Sequence, residues 1–451
     1  MIPEAWRQGE GEVAVVGLGR SGIAATRLLA REGVRVYASD AAEQPRHASG
    51  LQELGALPGV VVELGRHDLE RVRRAVAVVV SPGVPPDAPP LASARAAAVP
   101  IVSELDLGFA ALRGTCCIAV TGTNGKTTTT ALAAHLLDAG GVPAAAAGNI
   151  GRPLADIALA DERYQVLAVE VSSFQLHDSP HFAPDIGVLT NLAPDHLDRY
   201  ASVAEYYADK RLLFRNATDR AVWVLNGDDP AVLELARGVK GRRLLFSLQG
   251  RADGWYDAAS GALRLGDVEL VRRHELRLLG RHNVANALAA ALAVHAAGVA
   301  PSHLAAGLRS FRPLPHRLEP VREVGGVLWI NDSKATNVAS TMVAVAALER
   351  PFILLLGGRH KGEPYTRLVP LLAQRCRRVV AFGEAAPLVE RDLGGAVPLE
   401  RGSSFADVVA RARRAARPGD AVLLSPACSS YDMFTDFEER GATFRKLVEE
   451  M

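Results

Sequence analysis

The chain has 451 residues, of which 49% are hydrophobic and 5% aromatic, and its net charge is +1. At about 150 residues per domain this length suggests three domains, and the balanced charge excludes a global basic field that would attract nucleic acid. Four scattered cysteines without metal-ligand spacing indicate a reducing compartment and argue against a disulfide framework or a zinc site. The polar N-terminus and the lack of an apolar run of about 20 residues predict a cytoplasmic protein without a membrane span.

The first predicted unit is a strand, a glycine-containing turn, a helix and a second strand within residues 13–40. The turn reads G-L-G-R-S-G at residues 17–22, and the second strand ends at Asp40. This is the dinucleotide-binding fingerprint in its structural context, which indicates a site for phosphate and ribose without specifying the nucleotide. Residues 81–83, S-P-G, follow another buried strand at the same edge of the predicted sheet. NAD is the first candidate ligand for this half-size domain.

A second phosphate signal follows at residues 118–130. An apolar strand ends at Val120, residues 122–127 read G-T-N-G-K-T, and an apolar-rich helix continues from Lys126. Backbone amides in such a loop and the helix dipole favour phosphate. Lys126 adds a positive charge for the β- and γ-phosphates, and the hydroxyl of Thr127 can ligate Mg²⁺. The loop is shorter than the usual phosphate loop, yet it predicts binding of a nucleoside triphosphate.

Two candidate ligands for a metal follow buried strands of the same domain. Glu170 ends the apolar strand Val166 to Val169, beside the predicted phosphate loop. A carboxylate there is well placed to hold Mg²⁺, although a strand-end acid could also cap a neighbouring group. His196 comes shortly after the strand Ile186 to Leu192. By itself it could be a surface histidine, but its position after a strand end favours a metal or catalytic role.

Three further side chains have more than one interpretation. Lys210 lies in a predicted helix, residues 206–214, and by itself is typical of a solvated helix lysine. Asn283 and Asn286 stand three residues apart at the start of an Ala-rich helix and therefore share a face. Their amides could read the edge of a base, or either one could cap the helix.

The last part of the chain repeats the strand–helix rhythm after a segment punctuated by Pro313 and Pro315. The strands are predicted at residues 327–331, 352–356, 379–382 and 421–424, and polar loops follow several of them. Such loops converge on a ligand crevice at one edge of a parallel sheet. The predicted fold class is therefore α/β, with a Rossmann-like domain (1–104), a central P-loop ATPase-like domain with a mostly parallel sheet (105–312) and a C-terminal Rossmann-like domain (313–451).

Taken together, these stretches resemble the Mur ligases over essentially the whole chain. The shared motifs are G-T-N-G-K-T at 122–127, E-V-S-S at 170–173, D-H-L-D at 195–198 and H-N-V-A-N at 282–286. Features similar to the D-glutamate-adding branch are the segments at 17–22, 81–83, 173–176, 331–337 and 424–430. The Asn-Pro-Arg motif expected of the diaminopimelate-adding branch does not occur in the last predicted domain.

The resemblance implies ATP-dependent ligation of D-glutamate to UDP-N-acetylmuramoyl-L-alanine in peptidoglycan precursor synthesis. A carboxylate is a poor electrophile, so the family first phosphorylates the alanine carboxylate. The D-glutamate amine then attacks the acyl phosphate through a tetrahedral intermediate. The implied cofactors are ATP and two Mg²⁺ ions, the implied partners are the two small-molecule substrates, and the implied state is a monomer.

The resemblance also implies a role for individual residues. Those expected to bind ATP are Gly122, Thr123, Asn124, Gly125, Lys126, Thr127, Thr128, Asn283, Asn286, Arg317 and Asp332. Those expected to bind the UDP-substrate are Gly19, Arg20, Ser21, Asp40, Ser81 and Asn149, the last on the sugar or metal side. Those expected to frame D-glutamate are Lys334, Thr336, Lys361, Ser430 and Phe437. The expected metal ligands are Thr127, Glu170, His196 and Lys210.

The same comparison changes the interpretation of Lys210, which aligns with the family's carbamylated lysine. Carbon dioxide on the amine converts a cation into a carboxylate-like ligand for a second Mg²⁺. The implied catalytic set is therefore Lys126, Glu170, His196 and Lys210.

Four positions depart from the family pattern. Ala41 stands where threonine is common, His360 and Pro364 replace acids around Lys361, and Tyr431 replaces a phenylalanine or a smaller apolar residue. These departures affect the expected details of the substrate pockets. They do not affect the expected reaction class.

Three other functions remain as alternatives. One is another ligase of the superfamily, either L-alanine-adding or folylpolyglutamate synthase. An NAD-dependent dehydrogenase would explain residues 17–40 but would leave Lys126 unused. A non-catalytic nucleotide-gated binding protein would keep Lys126 but would not need metal ligands on separate loops.

Overall fold

The computed structural model describes residues 2–8, 11–44, 48–112, 114–196 and 199–451. The chain divides into two compact units. Unit 1 comprises residues 1–275 and 285–310, and unit 2 comprises residues 276–284 and 311–451. The predicted α/β class is confirmed in both units, while the three-domain boundaries stay a prediction. Among the described residues, no helix is both long and apolar enough to cross a membrane.

Unit 1 begins with a parallel sheet whose strand order is β3-β2-β1-β4-β5 in the described part of the chain. Strands β1 and β4 are fully buried runs rich in valine, as expected of parallel strands covered on both faces. The elements are α1 (Glu4–Gln8), β1 (Val13–Val16), α2 (Arg20–Arg31), β2 (Val36–Asp40), α3 (Ala48–Gly55), β3 (Val60–Leu64), α4 (Leu69–Arg74), β4 (Ala77–Val80), α5 (Pro89–Ala96), β5 (Ile101–Ser103) and α6 (Glu104–Ala111).

A second sheet follows in unit 1, with the order β14-β13-β12-β11-β10-β9-β6-β8-β7 among the described strands. Its elements are β6 (Cys116–Thr121), α7 (Lys126–Ala139), β7 (Ala144–Gly148), α8 (Leu154–Leu159), β8 (Val166–Glu170), α9 (Ser173–His177), β9 (Ile186–Leu189), α10 (Val203–Arg211), a 3₁₀ turn (Leu212–Phe214), β10 (Val222–Asn226), α11 (Pro230–Leu235), β11 (Arg242–Ser247), β12 (Gly254–Asp257), β13 (Ala262–Leu265), β14 (Val268–Arg272), a 3₁₀ turn (Arg273–Glu275), α12 (Arg281–Ala296) and α13 (Pro301–Ser310).

The pairing in this sheet confirms the prediction of a mostly parallel arrangement. Strands β6 to β12 pair in parallel, and β6 lies between β8 and β9. The antiparallel strands β12 to β14 extend the sheet at one end. These short strands were not predicted from the sequence.

The start of α6 carries a buried polar seam within unit 1, formed by Ser103, Glu104 and Asp106. The Oγ atoms of Ser103 and Ser179 lie 2.6 Å apart. Oε1 of Glu104 accepts a hydrogen bond from the amide of Ala155 in α8 at 2.7 Å. Oδ1 of Asp106 accepts another from the amide of His181 at 3.0 Å. Burial raises the pKa of Glu104 to about 7, and the charge of Asp156 adds to the effect.

Unit 2 contains one described sheet, with the order β15-β16-β20-β17-β18-β19. Only the β15–β16 pair is antiparallel among its described pairings. The elements are β15 (Glu319–Val324), β16 (Val327–Asn331), α14 (Val338–Ala346), β17 (Phe352–Gly357), a 3₁₀ turn (Tyr365–Leu368), α15 (Val369–Arg375), β18 (Cys376–Phe382), α16 (Ala386–Leu393), β19 (Leu399–Arg401), α17 (Phe405–Ala415), β20 (Ala421–Leu424) and α18 (Phe437–Glu449).

The strands of unit 2 bury both of their faces. In β17, Leu354 and Leu356 pack in one apolar cluster, while Ile353 and Leu355 pack in another. This follows from the alternation of side chains along a strand. The four strands predicted in this region are confirmed, with small differences at their ends.

Candidate active site

The predicted phosphate loop joins β6 to α7, and two glycines determine its path. Gly122 has φ +142° and Gly125, the N-cap of α7, has φ +84°. A Cβ at Gly122 would collide with Oγ1 of Thr190, and one at Gly125 would collide with Oδ1 of Asn286. The loop therefore requires glycine for its conformation and for close approach. It also brings the predicted ATP ligand Asn286 against the start of α7.

The end of β9 holds this loop in place. Oδ1 of Asn191 accepts from the amide of Asn124 at 2.9 Å, and Nδ2 of Asn191 donates to the carbonyl of Asn124 at the same distance. Oγ1 of Thr190 donates to that carbonyl at 2.6 Å. Asn191 was not predicted from the sequence, although its position at the end of the neighbouring strand was a usable signal.

Lys126 lies folded over the loop that precedes it. Its Nζ donates to the carbonyls of Gly122 at 3.0 Å and Thr123 at 2.8 Å. Thr127 and Thr128 follow in the first turn of α7, half-buried. An ammonium group held over such a loop, together with the amides at a helix N-terminus, forms a site suited to phosphate oxygens.

Glu170 ends β8 directly beside the strand that leads into the loop, because it pairs in register with Val120. The side chain is 2% exposed. Its Oε1 accepts a hydrogen bond from Nδ2 of Asn149 at 2.8 Å. Its Oε2 is buried and has no hydrogen-bond partner in the described part of the chain. A buried carboxylate oxygen without a partner is costly, and a cation would offset that cost.

The interpretation of Lys210 as a solvated helix lysine is wrong. The residue is 1% exposed, and its Nζ donates to Oγ1 of Thr121 at 3.0 Å. The same Nζ lies 5.4 Å from the centre of the Tyr206 ring. Burial lowers the pKa of Lys210 well below its usual value, and the charge of Lys126 lowers it further. The amine is therefore held in an environment that favours its neutral, nucleophilic form.

His196 lies among aromatic side chains, including Tyr206, whose ring also lies near Lys210. Its φ of +55° places the backbone in the left-handed region, which a histidine adopts at a cost. The ring packs edge-on against Phe174 at 5.2 Å and Tyr206 at 5.9 Å. The motif residues Leu197 and Asp198 lie outside the described residues.

The residues beside the loop fit a magnesium ion that is held in part by its substrate. Within the described residues, no group of three His, Cys, Asp or Glu side chains stands ready to hold a metal. Glu170 nevertheless offers an oxygen without a partner, and Thr127 offers a hydroxyl at the loop. Mg²⁺ commonly uses one or two carboxylates, waters and phosphate oxygens, so this set is compatible with it.

The predicted UDP-substrate residues lie at the carboxyl edge of the first sheet, except Asn149, which follows β7 of the second sheet and contacts Glu170. Gly19, Arg20 and Ser21 form the N-terminus of α2. Oγ of Ser81 donates to the carbonyl of Gly17 at 2.7 Å. Both carboxylate oxygens of Asp40 accept backbone amides, from Leu18 at 2.6 Å and Ala42 at 2.9 Å. Asp40 thus shapes the turn beside the helix N-terminus.

Unit 2 contains the other predicted ATP residues. Asp332 is 8% exposed and accepts from Oγ of Ser425 at 2.8 Å and from the amide of Leu318 at 3.1 Å. Burial raises its pKa to about 7, while the charge of Arg317 acts in the opposite direction. His316 and Leu318, on either side of Arg317, have positive φ values of 62° and 43°. Such strain concentrates at functional sites and is consistent with a role for this turn.

Asn283 contacts the backbone just before the start of α12. Its side chain is buried, and its Nδ2 donates to the carbonyl of Leu279 at 2.8 Å. Asn283 and Asn286 both lie in the first turns of α12, as predicted.

The predicted D-glutamate residues follow the ends of strands in unit 2. Nζ of Lys361 donates to Oγ1 of Thr336 at 3.4 Å, which joins the loop after β17 to the loop after β16. Nζ of Lys334 lies 4.9 Å from the centre of the Phe437 ring. Ser430 is 2% exposed in the loop after β20. Within the set expected to frame D-glutamate, Lys361 therefore contacts Thr336, and Lys334 lies against Phe437.

Arg440 connects two of these loops and was not predicted from the sequence. Its guanidinium is fully buried and donates to the carbonyl of Ser333 at 2.8 Å and to its Oγ at 3.0 Å. It also donates to the carbonyls of Cys428 at 3.2 Å and Ser429 at 3.3 Å. Burial lowers the pKa of Arg440 to about 10. No feature of the local sequence distinguishes this arginine from a solvated one on an amphipathic helix.

Three family descriptions match successive parts of the chain. The MurD-like N-terminal domain of Mur ligases matches residues 11–103, the Mur ligase middle domain matches 120–294, and the glutamate ligase domain of Mur ligases matches 316–428. The UDP-N-acetylmuramoylalanine–D-glutamate ligase of Salinibacter ruber is 42% identical, over 96% of this chain and 97% of its own. The enzyme of that name from Anaeromyxobacter dehalogenans is 41% identical, over 97% of both chains.

Solved structures at lower identity have the same fold. The UDP-N-acetylmuramate–alanine ligase MurC from Thermotoga maritima is 20% identical with a TM-score of 0.62, over 97% of this chain and 99% of its own. A pseudomurein peptide ligase type C from Methanothermus fervidus is 19% identical with a TM-score of 0.60, over 98% of this chain and 100% of its own.

Proposed function

We propose that this chain, which belongs to the Mur ligase family, catalyses the ATP-dependent ligation of D-glutamate to UDP-N-acetylmuramoyl-L-alanine in peptidoglycan precursor synthesis. The assignment of D-glutamate as the amino acid is supported by relatives named UDP-N-acetylmuramoylalanine–D-glutamate ligase, which are about 40% identical over nearly the full length of the chain. The geometric observation that carries the reaction class is the phosphate loop beside Glu170, a buried carboxylate with an oxygen that lacks a partner among the described residues.

The reaction begins with the approach of two anions, the alanine carboxylate and the γ-phosphate of ATP. Lys126 and the amides at the start of α7 provide positive potential for the phosphates, and Asn286 is pressed against the same loop. The resulting acyl phosphate is attacked by the D-glutamate amine, and phosphate leaves from the tetrahedral intermediate. The protein's contribution is therefore positioning and electrostatic stabilisation.

Thr127, Glu170, His196 and Lys210 are the residues that would hold magnesium in this site. A magnesium ion bound there would neutralise phosphate charge during the first step. Oε2 of Glu170 is suited to this role because it is buried without a hydrogen-bond partner in the described chain. Asn149 orients the carboxylate by donating to its other oxygen.

Lys210 is proposed to react with carbon dioxide to form a carbamate, with release of one proton. The reaction requires the neutral amine, and burial lowers the pKa of Lys210 in the required direction. The described residues contain no group of three His, Cys, Asp or Glu side chains that could hold a metal. The carbamate would add a carboxylate-like ligand to the proposed site. A second magnesium site through Lys210 follows from this proposal.

The substrate residues are assigned on the same basis. Gly19, Arg20, Ser21, Asp40 and Ser81 would receive the UDP group at the edge of the first sheet. The set proposed for D-glutamate offers ammonium and hydroxyl donors for its two carboxylates, and consists of Lys334, Thr336, Lys361, Ser430 and Phe437. The set proposed for the nucleotide in unit 2 consists of Asn283, Arg317 and Asp332. A cytoplasmic monomer with the predicted three-domain boundaries completes the proposal.

Phosphate release tests the proposal most directly. The assay combines the protein with ATP, Mg²⁺ and UDP-N-acetylmuramoyl-L-alanine, and candidate amino acids are added one at a time. We expect release to require D-glutamate. Lys126→Ala should reduce kcat by about 1,000-fold, because it removes a charge from the transferring phosphoryl group. Lys240→Ala serves as the control, since Lys240 is exposed and lies outside the proposed site.

The outcomes separate the alternatives. Release with a different amino acid would keep the mechanism and transfer the specificity to another ligase of the superfamily. The absence of release with every acceptor would contradict the proposal and favour the dehydrogenase or the nucleotide-gated binding protein. Binding of NADH, measured by its fluorescence, would then distinguish those two.

A further inference from the structure

Three side chains of unit 2 form a hydrogen-bonded chain that the proposed reaction does not use. Nδ1 of His360 lies 2.9 Å from Oη of Tyr365, and this Oη lies 2.9 Å from Sγ of Cys428. Tyr365 and Cys428 are both fully buried. His360 precedes the proposed D-glutamate ligand Lys361, and Cys428 lies two residues before the proposed ligand Ser430. The tyrosine hydroxyl thus joins the two loops that present these ligands.

A backbone bridge also connects the two loops, at Arg359 and Ser429. The amide of Arg359 donates to the carbonyl of Ser429 at 2.9 Å, and the amide of Ser429 donates back at 3.2 Å. Oγ of Ser429 also donates to the carbonyl of Arg359 at 3.2 Å, and the amide of Gly357 donates to the carbonyl of Pro426 at 3.0 Å. These contacts join the two loops near their bases, and the Tyr365 hydroxyl adds a side-chain attachment between His360 and Cys428.

Tyr365 is the member of this chain that must both donate and accept. Its hydroxyl carries one proton and two lone pairs, so it can donate to one neighbour while it accepts from the other. Where Nδ1 of His360 carries no proton, it accepts from the tyrosine, which then accepts from the thiol of Cys428. Where Nδ1 carries a proton, it donates to the tyrosine, which then donates to the sulfur. Both links therefore persist in either arrangement, and removal of the hydroxyl breaks both.

We propose that Tyr365 is a positioning residue for the amino-acid subsite, because its hydroxyl holds the loop with Lys361 and the loop with Ser430 at the separation that D-glutamate requires. The inference rests on the proposed function. His360 is a position where this chain departs from the family pattern, and its hydrogen-bond partner is Tyr365. Tyr365 acts through Lys361 and Ser430 and does not itself touch the substrate.

The test is a set of variants assayed for all three substrates in the D-glutamate-dependent reaction. Tyr365→Phe keeps the ring and removes both links. We expect KM for D-glutamate to rise about tenfold, which corresponds to about 1.4 kcal/mol, with KM for ATP and for the UDP-substrate within a factor of two, because the two lost hydrogen bonds act on the loops that carry Lys361 and Ser430. Cys428→Ala should have a smaller effect on KM for D-glutamate. Cys428→Ser, which restores a donor and acceptor at this position, should return KM towards the wild-type value.

Tyr37→Phe is the matched control. Tyr37 is equally buried, donates to Glu63 at 2.6 Å and accepts from the amide of Asp68 at 2.6 Å, but it lies in unit 1. It should leave KM for D-glutamate unchanged. A wild-type protein without D-glutamate-dependent release would overturn the proposed function. A wild-type protein with that activity, in which Tyr365→Phe leaves KM for D-glutamate unchanged or alters all three KM values equally, would overturn the role of Tyr365 alone.

Discussion

Lys210 in unit 1 and Arg440 in unit 2 are both fully buried basic side chains, but their surroundings differ. Lys210 donates to one hydroxyl, that of Thr121, whereas Arg440 donates to three carbonyls and one hydroxyl. The pKa of Lys210 falls well below its usual value, while the pKa of Arg440 falls to about 10 and the group keeps its charge at neutral pH. Burial of a cation therefore produces a reactive amine in one region and a structural connection in the other.

The chemistry of the two groups explains the difference. A guanidinium presents five donors in a fixed plane and is difficult to deprotonate, so it can satisfy several carbonyls at a crossing of loops. An ammonium is compact and loses its proton readily when it is desolvated. Exchange of the two residue types should therefore damage catalysis in unit 1 and stability in unit 2.

The largest expected effect is that of Lys210→Arg. Arginine cannot form the proposed carbamate and remains charged beside Lys126, so kcat in the phosphate-release assay should fall at least about 1,000-fold. In ¹³C NMR with labelled bicarbonate, the wild-type protein should show a carbamate resonance that the variant lacks.

A matched lysine controls for this substitution. Lys446→Arg exchanges an exposed lysine of α18 and should leave both the rate and the carbamate resonance unchanged. Retention of near-wild-type kcat in Lys210→Arg would refute the catalytic role of Lys210. If Lys210→Arg loses the folded state in circular dichroism, its activity is not informative. The carbamate resonance of the wild-type protein then decides whether a lysine is carbamylated.

The next effect is that of Arg440→Lys on stability. A lysine has three donors on a flexible stem and cannot reproduce the planar fork of the guanidinium, so the buried carbonyls of Ser333 and Cys428 lose donors, while that of Ser429 keeps the amide of Arg359. We expect a loss of about 3 kcal/mol in the free energy of unfolding, measured by urea denaturation. Arg413→Lys, an exposed exchange on α17, should change it by less than about 0.5 kcal/mol. An unchanged urea midpoint for Arg440→Lys would contradict the structural role.

Glu104→Gln extends the comparison to a buried acid and has the smallest expected effect. The pKa of Glu104 is raised from 4.5 to about 7 in the folded protein, so the folded state binds more protons than the unfolded state between these values. The stability that this group contributes is present below pH 4.5 and is lost as the pH rises through 7. A glutamine does not titrate and lacks this loss.

The measurement compares urea unfolding at pH 5 and pH 8. Relative to wild type, Glu104→Gln should be more stable at pH 8 than at pH 5 by about 2 kcal/mol. Glu70→Gln is the control, because Glu70 is exposed on α4. An equal difference between variant and wild type at both pH values would show that Glu104 does not titrate in this window.

Several features of the fold followed from local sequence patterns. Strands Val327–Asn331 and Ala421–Leu424 were predicted with the observed bounds, because apolar runs with β-branched residues between polar turns specify buried parallel strands. The phosphate loop was predicted although it is shorter than usual, because a glycine-containing turn with a lysine and a threonine joins an apolar strand to the start of a helix. Strands β12 to β14 were missed, since strands of four or five residues without a regular alternation of buried and exposed positions carry a weak pattern.

The sequence by itself determined the α/β class, the alternation of the main strands and helices and the position of the phosphate loop, because these depend on neighbours along the chain. Only the tertiary structure decided that Lys210 is buried against Thr121, that Oε2 of Glu170 lacks a partner in the described chain, and that Tyr365 reaches Cys428. These properties depend on groups that are distant in sequence and close in space. Burial and the identity of such neighbours set the charge of a lysine or the orientation of a loop, and no local pattern records them.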